Sequence, residues 1–188
     1  MNLNDWFQKG MSPEAYMESM SVNKENVQTV LNGFTIPAGE EAVLKTIVDK
    51  NLKVIVLTED WCGDAMVNVP VLLKVAEEAN MEVSLLLRDQ NLELMDQYLT
   101  NGTSRSIPIF IFINEEGKEI AVWGPRAPMV QQLVNEENAK LPPKDHELFE
   151  GKRKEMFGRL TSQYVGNEEI WEEVYESIKT TLLNQVLR

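Results

Sequence analysis

Cysteine and histidine are almost absent from the 188-residue chain, which contains only Cys62 and His146. A single cysteine cannot form an intramolecular disulfide, which excludes a disulfide-stapled fold and favours a reducing, cytoplasmic setting. No cysteine, histidine and carboxylate cluster has metal-ligand spacing, so we expect neither metal nor cofactor. His146 follows two prolines near the start of a predicted helix. We interpret it as a solvated residue, not as a partner of Cys62.

Basic residues and long apolar runs are also scarce. Lysine and arginine number 18 against 30 acidic residues, giving a formal net charge of -12. Such a surface repels phosphates and anionic lipids, which argues against nucleic-acid and membrane partners. No apolar run approaches the roughly 18 residues of a membrane span, and the first residues do not resemble a signal peptide, so we expect a cytoplasmic protein. With 43% hydrophobic residues, the chain can build an ordinary globular core.

Hydrophobic periodicity predicts an α/β fold. Short β-branched and apolar runs predict four strands, and segments with helical spacing lie between and after them. The last two strands flank a tight turn and should form a hairpin. This order implies a mixed sheet with helices on both faces. The predicted strands are 53–58, 82–87, 107–113 and 119–123, and the predicted helices are 39–50, 62–80, 91–99 and a segment from Gly124-Pro125 to about 140.

Helical segments flank this pattern at both ends. Ser12 is a predicted N-cap before Pro13, and Asn23 is a possible second cap. We therefore divide the chain into an N-terminal helical extension (1–38), a central α/β domain (39–140) and a C-terminal helical extension (141–188). The last helix carries an apolar stripe that fits either intramolecular packing or a dimer seam: Ile170, Trp171, Val174, Tyr175, Ile178, Leu182 and Val186.

The segment Thr58-Glu59-Asp60-Trp61-Cys62-Gly63-Asp64-Ala65 lies where a predicted strand passes into a helix. Free backbone amides and the helix dipole stabilise a thiolate at such a position. We therefore expect Cys62 to be partly exposed, with a pKa below the usual value of about 8.5. The Asp64 carboxylate would raise that pKa. The other interpretation is that Cys62 is an inert, small hydrophobic residue.

Four features together resemble thioredoxin over roughly residues 40 to 140. They are Trp61-Cys62-Gly63, Pro70 eight residues after the cysteine, Arg105-Ser106-Ile107-Pro108 before the hairpin, and Trp123-Gly124 at its end. The resemblance implies a thioredoxin-like mixed sheet with Trp61 at the rim of the site. It also implies that Pro108 is cis and that the backbone of Ile107 pairs with an extended partner peptide.

Three positions depart from the thioredoxin pattern. Ala65 replaces the second, resolving cysteine, Asp64 replaces the proline of the motif, and Val56 replaces a buried aspartate that helps the resolving cysteine lose its proton. A full dithiol cycle is therefore unavailable within one chain. The sequence most resembles bacterial monothiol thioredoxin-like proteins that carry a Trp-Cys-Gly-Asp motif and helical extensions.

These features lead to a monothiol hypothesis. Cys62 would be the nucleophile in exchange with protein disulfides or low-molecular-weight thiols, and an external thiol would release the product. Substrate contacts are assigned to Trp61, Gly63, Asp64, Ile107 and Pro108. A non-catalytic, protein-binding module that uses the same groove is the alternative. Iron–sulfur assembly by two chains, as in monothiol glutaredoxins, is a third option, but Asp64-Ala65 does not match their Cys-Gly-Phe-Ser motif. The oligomeric state stays open.

Overall fold

The computed structural model describes residues 2–186, which form nine α-helices and four strands. The strands are β1 (Lys53–Thr58), β2 (Glu82–Leu87), β3 (Ile109–Ile113) and β4 (Glu119–Trp123). The helices are α1 (Leu3–Phe7), α2 (Pro13–Ser19), α3 (Lys24–Gly33), α4 (Glu41–Lys45), α5 (Gly63–Glu78), α6 (Leu92–Met95), α7 (Pro128–Ala139), α8 (Phe149–Gly166) and α9 (Glu168–Val186). Short 3₁₀ turns cover Val48–Lys50 and Arg88–Gln90.

The four strands form one sheet in the order β2-β1-β3-β4. β1 pairs parallel with β2 and antiparallel with β3, and β3 pairs antiparallel with β4. β1 and β3 are central and almost entirely buried, which explains their continuous apolar sequences. The predicted mixed sheet, with helices on both faces and further helices at both ends of the chain, is confirmed.

Two predicted helices are much shorter in the structure. The segment 39–50 gives only α4 and a 3₁₀ turn, because the β-branched run Thr46-Ile47-Val48 is a poor helix former. The segment 91–99 gives only α6, and the chain then turns through Asn101 and Gly102, both at positive φ. In addition, β3 begins at Ile109 and not at Ile107, since Pro108 has no amide hydrogen for the ladder.

The predicted cap at Ser12 is confirmed, whereas Asn23 occupies the predicted N-cap position of α3 without the side-chain hydrogen bond of a cap. The hydroxyl of Ser12 accepts a hydrogen bond from the Ala15 amide at 3.2 Å. Asn23 precedes α3, but its backbone is left-handed, with a φ of 58°, and its side chain caps no amide of the helix. Its side-chain amide instead donates to the carbonyl of Asp60 at 3.0 Å, which ties the N-terminal segment to the loop after β1.

The apolar stripe of α9 packs inside the molecule. Helix α9 lies against α5 and β4, and the indole N–H of Trp123 donates to the hydroxyl of Ser177 at 2.8 Å. Helix α3 also packs on α5, so both ends of the chain help to cover this central helix. Six stripe residues are buried and Val186 is half-buried; the buried ones are Ile170, Trp171, Val174, Tyr175, Ile178 and Leu182. None of the helices in residues 2–186 combines the length and apolarity required of a membrane-spanning segment.

Candidate functional site

Cys62 occupies the N-cap position of α5, immediately after the loop that follows β1. Its backbone is extended (φ -77°, ψ 117°), and its carbonyl accepts a hydrogen bond from the Met66 amide at 3.3 Å. Its own amide donates to the Glu59 carbonyl at 3.2 Å, which closes the turn before the helix. The strand-to-helix junction predicted from the sequence is therefore present, and the sulfur lies beside the free amides of the first helical turn.

The Cys62 thiol is buried, not partly exposed as expected. Only 8% of the residue is accessible, and the thiol donates to the carbonyl oxygen of Ile107 at 3.3 Å. Both neighbours in the motif, Trp61 and Gly63, are exposed. The site therefore presents an accessible rim around a sulfur that the Ile107–Pro108 loop covers.

Burial, and after it the charge of the nearby Asp64 carboxylate, raise the pKa of the Cys62 thiol to about 11. The amides of Ala65 and Asp64 and the charge of Arg126 act in the opposite direction and are weaker. The expected pKa below 8.5 is therefore wrong. The helix N-terminus acts in the predicted sense, but the depth at which the sulfur is buried cannot be read from the sequence.

Asp64 is bound within the molecule and does not face an open groove. Arg126 holds it with two contacts, Nε to Oδ1 at 2.7 Å and Nη2 to Oδ2 at 2.6 Å. The Tyr164 hydroxyl donates to Oδ1 at 3.0 Å, and Arg126 also donates to Gln131 at 2.8 Å. The side chain of Asp64 is only 12% exposed. Asp64 is therefore part of an internal ion pair. From the sequence it was assigned to substrate binding, and this pair was not predicted.

Arg126 and Tyr164 were missed by sequence reasoning. Arg126 lies two residues after Gly124, in the segment that returns from β4 toward the Ile107–Pro108 loop. That placement near a motif glycine was a usable signal for Arg126. Tyr164 had none, because it lies 100 residues away in α8 and reaches Asp64 only through tertiary packing.

The Ile107–Pro108 loop lies directly opposite Cys62. The Ile107–Pro108 peptide bond is cis, as is the Gly124–Pro125 bond, and both Ile107 and Pro108 are buried. The Ile107 carbonyl accepts a hydrogen bond from the Cys62 thiol, so it is not free to pair with a partner peptide, contrary to the expectation. The structure gives the Ile107 amide no hydrogen-bond partner among residues 2–186. The two backbone groups at Ile107 are therefore in different states: the carbonyl is bound by Cys62, and the amide is unpaired among residues 2–186.

Trp61 lies on the rim of the site, as the resemblance implied, and is 49% exposed. The guanidinium of Arg88 lies 4.9 Å from its ring centroid, and Arg88 also donates to the Arg105 carbonyl at 3.0 Å. Arg105 in turn forms a two-point ion pair with Asp96, at 2.7 and 2.9 Å. These contacts connect Trp61 to the loop that precedes Ile107. Open space surrounds Gly63, where an added Cβ would meet nothing within 4 Å.

The N-terminal segment also contributes to the site. Asp60 accepts hydrogen bonds from the amides of Ser21 and Val22, at 2.8 and 3.1 Å. Val22 is 46% exposed, so a second apolar side chain is accessible near Trp61. Tyr16 is buried, and its hydroxyl lies 3.4 Å from the hydroxyl of Thr58; burial raises its pKa to about 12. Tyr16 therefore keeps its proton at neutral pH.

The remaining sequence predictions concern His146 and metal binding. His146 is exposed in the turn before α8, where its Nδ1 accepts the Leu148 amide at 3.1 Å. This agrees with its interpretation as a solvated residue near a helix start. Among residues 2–186, no group of three or more histidine, cysteine, aspartate and glutamate side chains is placed to hold a metal ion.

Comparisons with known proteins found two solved structures with a similar fold and one matching family. A protein of unknown function from Pseudomonas aeruginosa is 15% identical, with a TM-score of 0.63 over 90% of this chain and 98% of that chain. An HIV epitope-scaffold is 14% identical, with a TM-score of 0.61 over 94% of this chain and 99% of that chain. At this identity they show the fold alone. No curated protein matches the chain. A thioredoxin family model matches residues 10–140, which is more than half of the sequence, and the chain therefore belongs to the thioredoxin family.

Proposed function

We propose that this thioredoxin-fold protein takes part in thiol–disulfide exchange as a monothiol, with Cys62 as the reacting group. The observation that carries the proposal is the position of the sulfur. It lies at the N-terminus of α5, 3.3 Å from the carbonyl of Ile107. The Ile107–Pro108 loop would hold the backbone of the partner. The partners would be protein disulfides or low-molecular-weight disulfides and thiols, in a reducing cytoplasmic setting.

The exchange balances without a second protein thiol. The Cys62 thiol loses its proton to solvent, and the thiolate attacks one sulfur of a partner disulfide. A new S–S bond forms to Cys62, the partner's S–S bond breaks, and the other partner sulfur leaves as a thiolate that takes up a proton. Ala65 cannot attack the mixed disulfide. An external thiolate attacks it instead, which regenerates Cys62 and leaves the released group in a new disulfide.

The resting thiol is masked, so partner docking has to precede attack. A thiol with a pKa of about 11 is ionised at pH 7 to only about one part in ten thousand. A partner amide that donates to the Ile107 carbonyl would compete with the thiol for that oxygen. The Ile107 amide can donate to the same partner strand. Docking on Ile107 would thus release the hydrogen bond that holds the sulfur.

The burial of Cys62 specifically favours a second candidate function, a non-covalent protein-binding module. A thiol that is 8% exposed can act as a core residue, while the adjacent Trp61, and Val22 bound to Asp60, present exposed apolar side chains. In this case the groove binds a partner without any covalent step. Site residues Trp61, Gly63, Ile107 and Pro108 would keep their roles, and Cys62 would only support the packing.

One experiment separates the two candidates. The wild-type chain and Cys62→Ser, which keeps a small hydrogen-bond donor, are incubated with cystine or oxidised glutathione and measured by non-reducing intact-protein mass spectrometry. Exchange predicts a single mixed disulfide on the wild-type chain, formed faster than unfolding exposes the thiol, and none on Cys62→Ser. If the mixed disulfide forms no faster than the chain unfolds, the proposed exchange function is overturned. Equal retention of partner proteins by both chains in a pull-down would then support the binding module.

A further inference from the structure

Two other elements converge on Asp64, which lies in the first turn of α5. Arg126, from the segment after β4, binds both carboxylate oxygens at 2.6 and 2.7 Å. Tyr164, from helix α8, donates to Oδ1 at 3.0 Å. Asp64 and Arg126 are mostly buried, with 12% and 22% of their side chains exposed. An ion pair of this kind fixes the carboxylate at one place in the first turn of α5, two residues after Cys62, where its charge acts on the thiol.

We propose that Arg126 and Tyr164 are positioning residues for Cys62: they fix the Asp64 carboxylate next to the thiol, and through Tyr164 the helix α8 sets how readily that thiol reacts. This inference deepens the proposed exchange function and rests on it for its biological use. The charge arrangement itself, however, can be measured without any exchange partner.

The charged and titratable groups around Cys62 come from α5, from the segment after β4, from α2 and from the loop before Cys62. Asp64, on the same helix, opposes ionisation of the thiol, Arg126 favours it, and Tyr16 from α2 is held neutral by burial. In the loop before Cys62, Glu59 accepts the Asp89 amide at 2.8 Å, and Asp60 accepts the two amides of Ser21 and Val22. Asp64 and Arg126 are thus the pair whose balance acts on the sulfur.

Tyr164 acts on the thiol only through Asp64. Burial and the adjacent carboxylate raise the pKa of Tyr164, so its hydroxyl keeps its proton and remains a donor to Oδ1. Its backbone carbonyl accepts the indole N–H of Trp171 at 2.7 Å, which fixes Tyr164 between α8 and α9. Loss of the hydroxyl removes one of the donors that offset the carboxylate charge and leaves this backbone contact in place.

Alkylation of Cys62 by iodoacetamide at a fixed pH below the thiol pKa provides the test. A shift of one pKa unit changes the thiolate fraction tenfold, and lower nucleophilicity of the less basic thiolate reduces the net rate change to about threefold. Asp64→Asn should therefore react about threefold or more faster. Arg126→Gln should react about threefold or more slower. Tyr164→Phe should change the rate in the same direction as Arg126→Gln, by less.

Tyr175→Phe is the matched control. It removes the same hydroxyl from the neighbouring helix α9, where that hydroxyl contacts Glu40 and not Asp64. It should leave the Cys62 alkylation rate unchanged. In an Asp64→Asn background, Tyr164→Phe should also have no effect, since its route to the thiol is gone. Near-ultraviolet circular dichroism checks that each variant is folded; if Arg126→Gln unfolds, the other variants decide.

Two results would overturn the proposal. One is an unchanged alkylation rate in folded Asp64→Asn. The other is a Tyr164→Phe rate equal to that of Tyr175→Phe. Because iodoacetamide reacts with any accessible thiolate, the test does not depend on disulfide chemistry. A failed mixed-disulfide experiment together with the expected rate changes would reject the exchange function and retain the positioning roles.

Discussion

Cys62 and Asp64 show how two neighbouring residues set the chemistry of a site. In the first turn of a helix, a carboxylate improves the helix and opposes a thiolate at the N-cap. The sequence shows this conflict but not its outcome, because the outcome depends on burial. In the structure, the buried thiol donates a hydrogen bond to the Ile107 carbonyl, and Arg126 binds the carboxylate. The structure therefore keeps the cysteine at the N-terminus of α5 and holds its thiol protonated at rest.

Ala65 and Val56 predict that the wild-type chain lacks dithiol reductase activity. Ala65 lies one helical turn after Cys62 and is buried, and Val56 is fully buried in β1. Reduction of insulin with dithiothreitol should show no activity above the uncatalysed rate for the wild-type chain. Ala65→Cys should gain activity but remain below thioredoxin, because Val56 supplies no carboxylate to accept a proton. Cys62→Ser/Ala65→Cys is the control and should be inactive; robust wild-type turnover would contradict the prediction.

At the scale of elements, the sequence predicted what depends on local patterns. β1, β2 and β4 match their predicted bounds, and α5 lies within its predicted segment. Predictions were wrong where local patterns were weak or ambiguous. Thr46-Ile47-Val48 ended a predicted helix early, and the Asn23 side chain donates to the Asp60 carbonyl and does not cap α3. Trp61 was placed correctly because the motif fixes it at the rim. The burial of Cys62 and the pairing of Asp64 with Tyr164 were missed, because they depend on contacts between distant elements.

The close approach between two loops predicts a severe effect for Gly124→Ala. Gly124 has a φ of +131°, and a Cβ at this position would meet the carbonyl oxygen of Pro108. Backbone strain and overpacking together should lower the free energy of unfolding by roughly 2–4 kcal/mol. Gly158→Ala, in the middle of α8 with open space around it, should instead raise it by about 0.5–1 kcal/mol. Urea denaturation measures both; equal stability of the two variants would contradict the close approach.

In the whole molecule, the helical segments at the two ends of the chain pack with the central α/β part as one structure. Helices α3 and α9 pack against α5, and buried or half-buried ion pairs join distant parts of the chain. Lys179 in α9 binds Glu40 at 2.6 Å, and Arg159 in α8 binds Glu137 in α7 at 2.8 Å. The division of the chain into two extensions and a central domain, with boundaries after residues 38 and 140, stays a prediction. Because the site includes Tyr16 and Tyr164, both flanking segments contribute directly to its surroundings.

Glu137 predicts how this joined structure responds to acid. Hydrogen bonds from Lys140 and Arg159 lower the pKa of Glu137 below its usual 4.5, and the side chain is only 7% exposed. Its contribution to stability is therefore complete above pH 4.5 and is lost as the pH falls through the lower, folded pKa. Glu137→Gln should be less stable than the wild-type chain at pH 7, and the difference should shrink below pH 4.5. Glu172→Gln, at an exposed position with no ion pair in residues 2–186, should show little difference at any pH. Urea denaturation at a series of pH values tests this, and a Glu137→Gln difference that stays constant down to the acid transition would mean that its charge does not join α7 to α8.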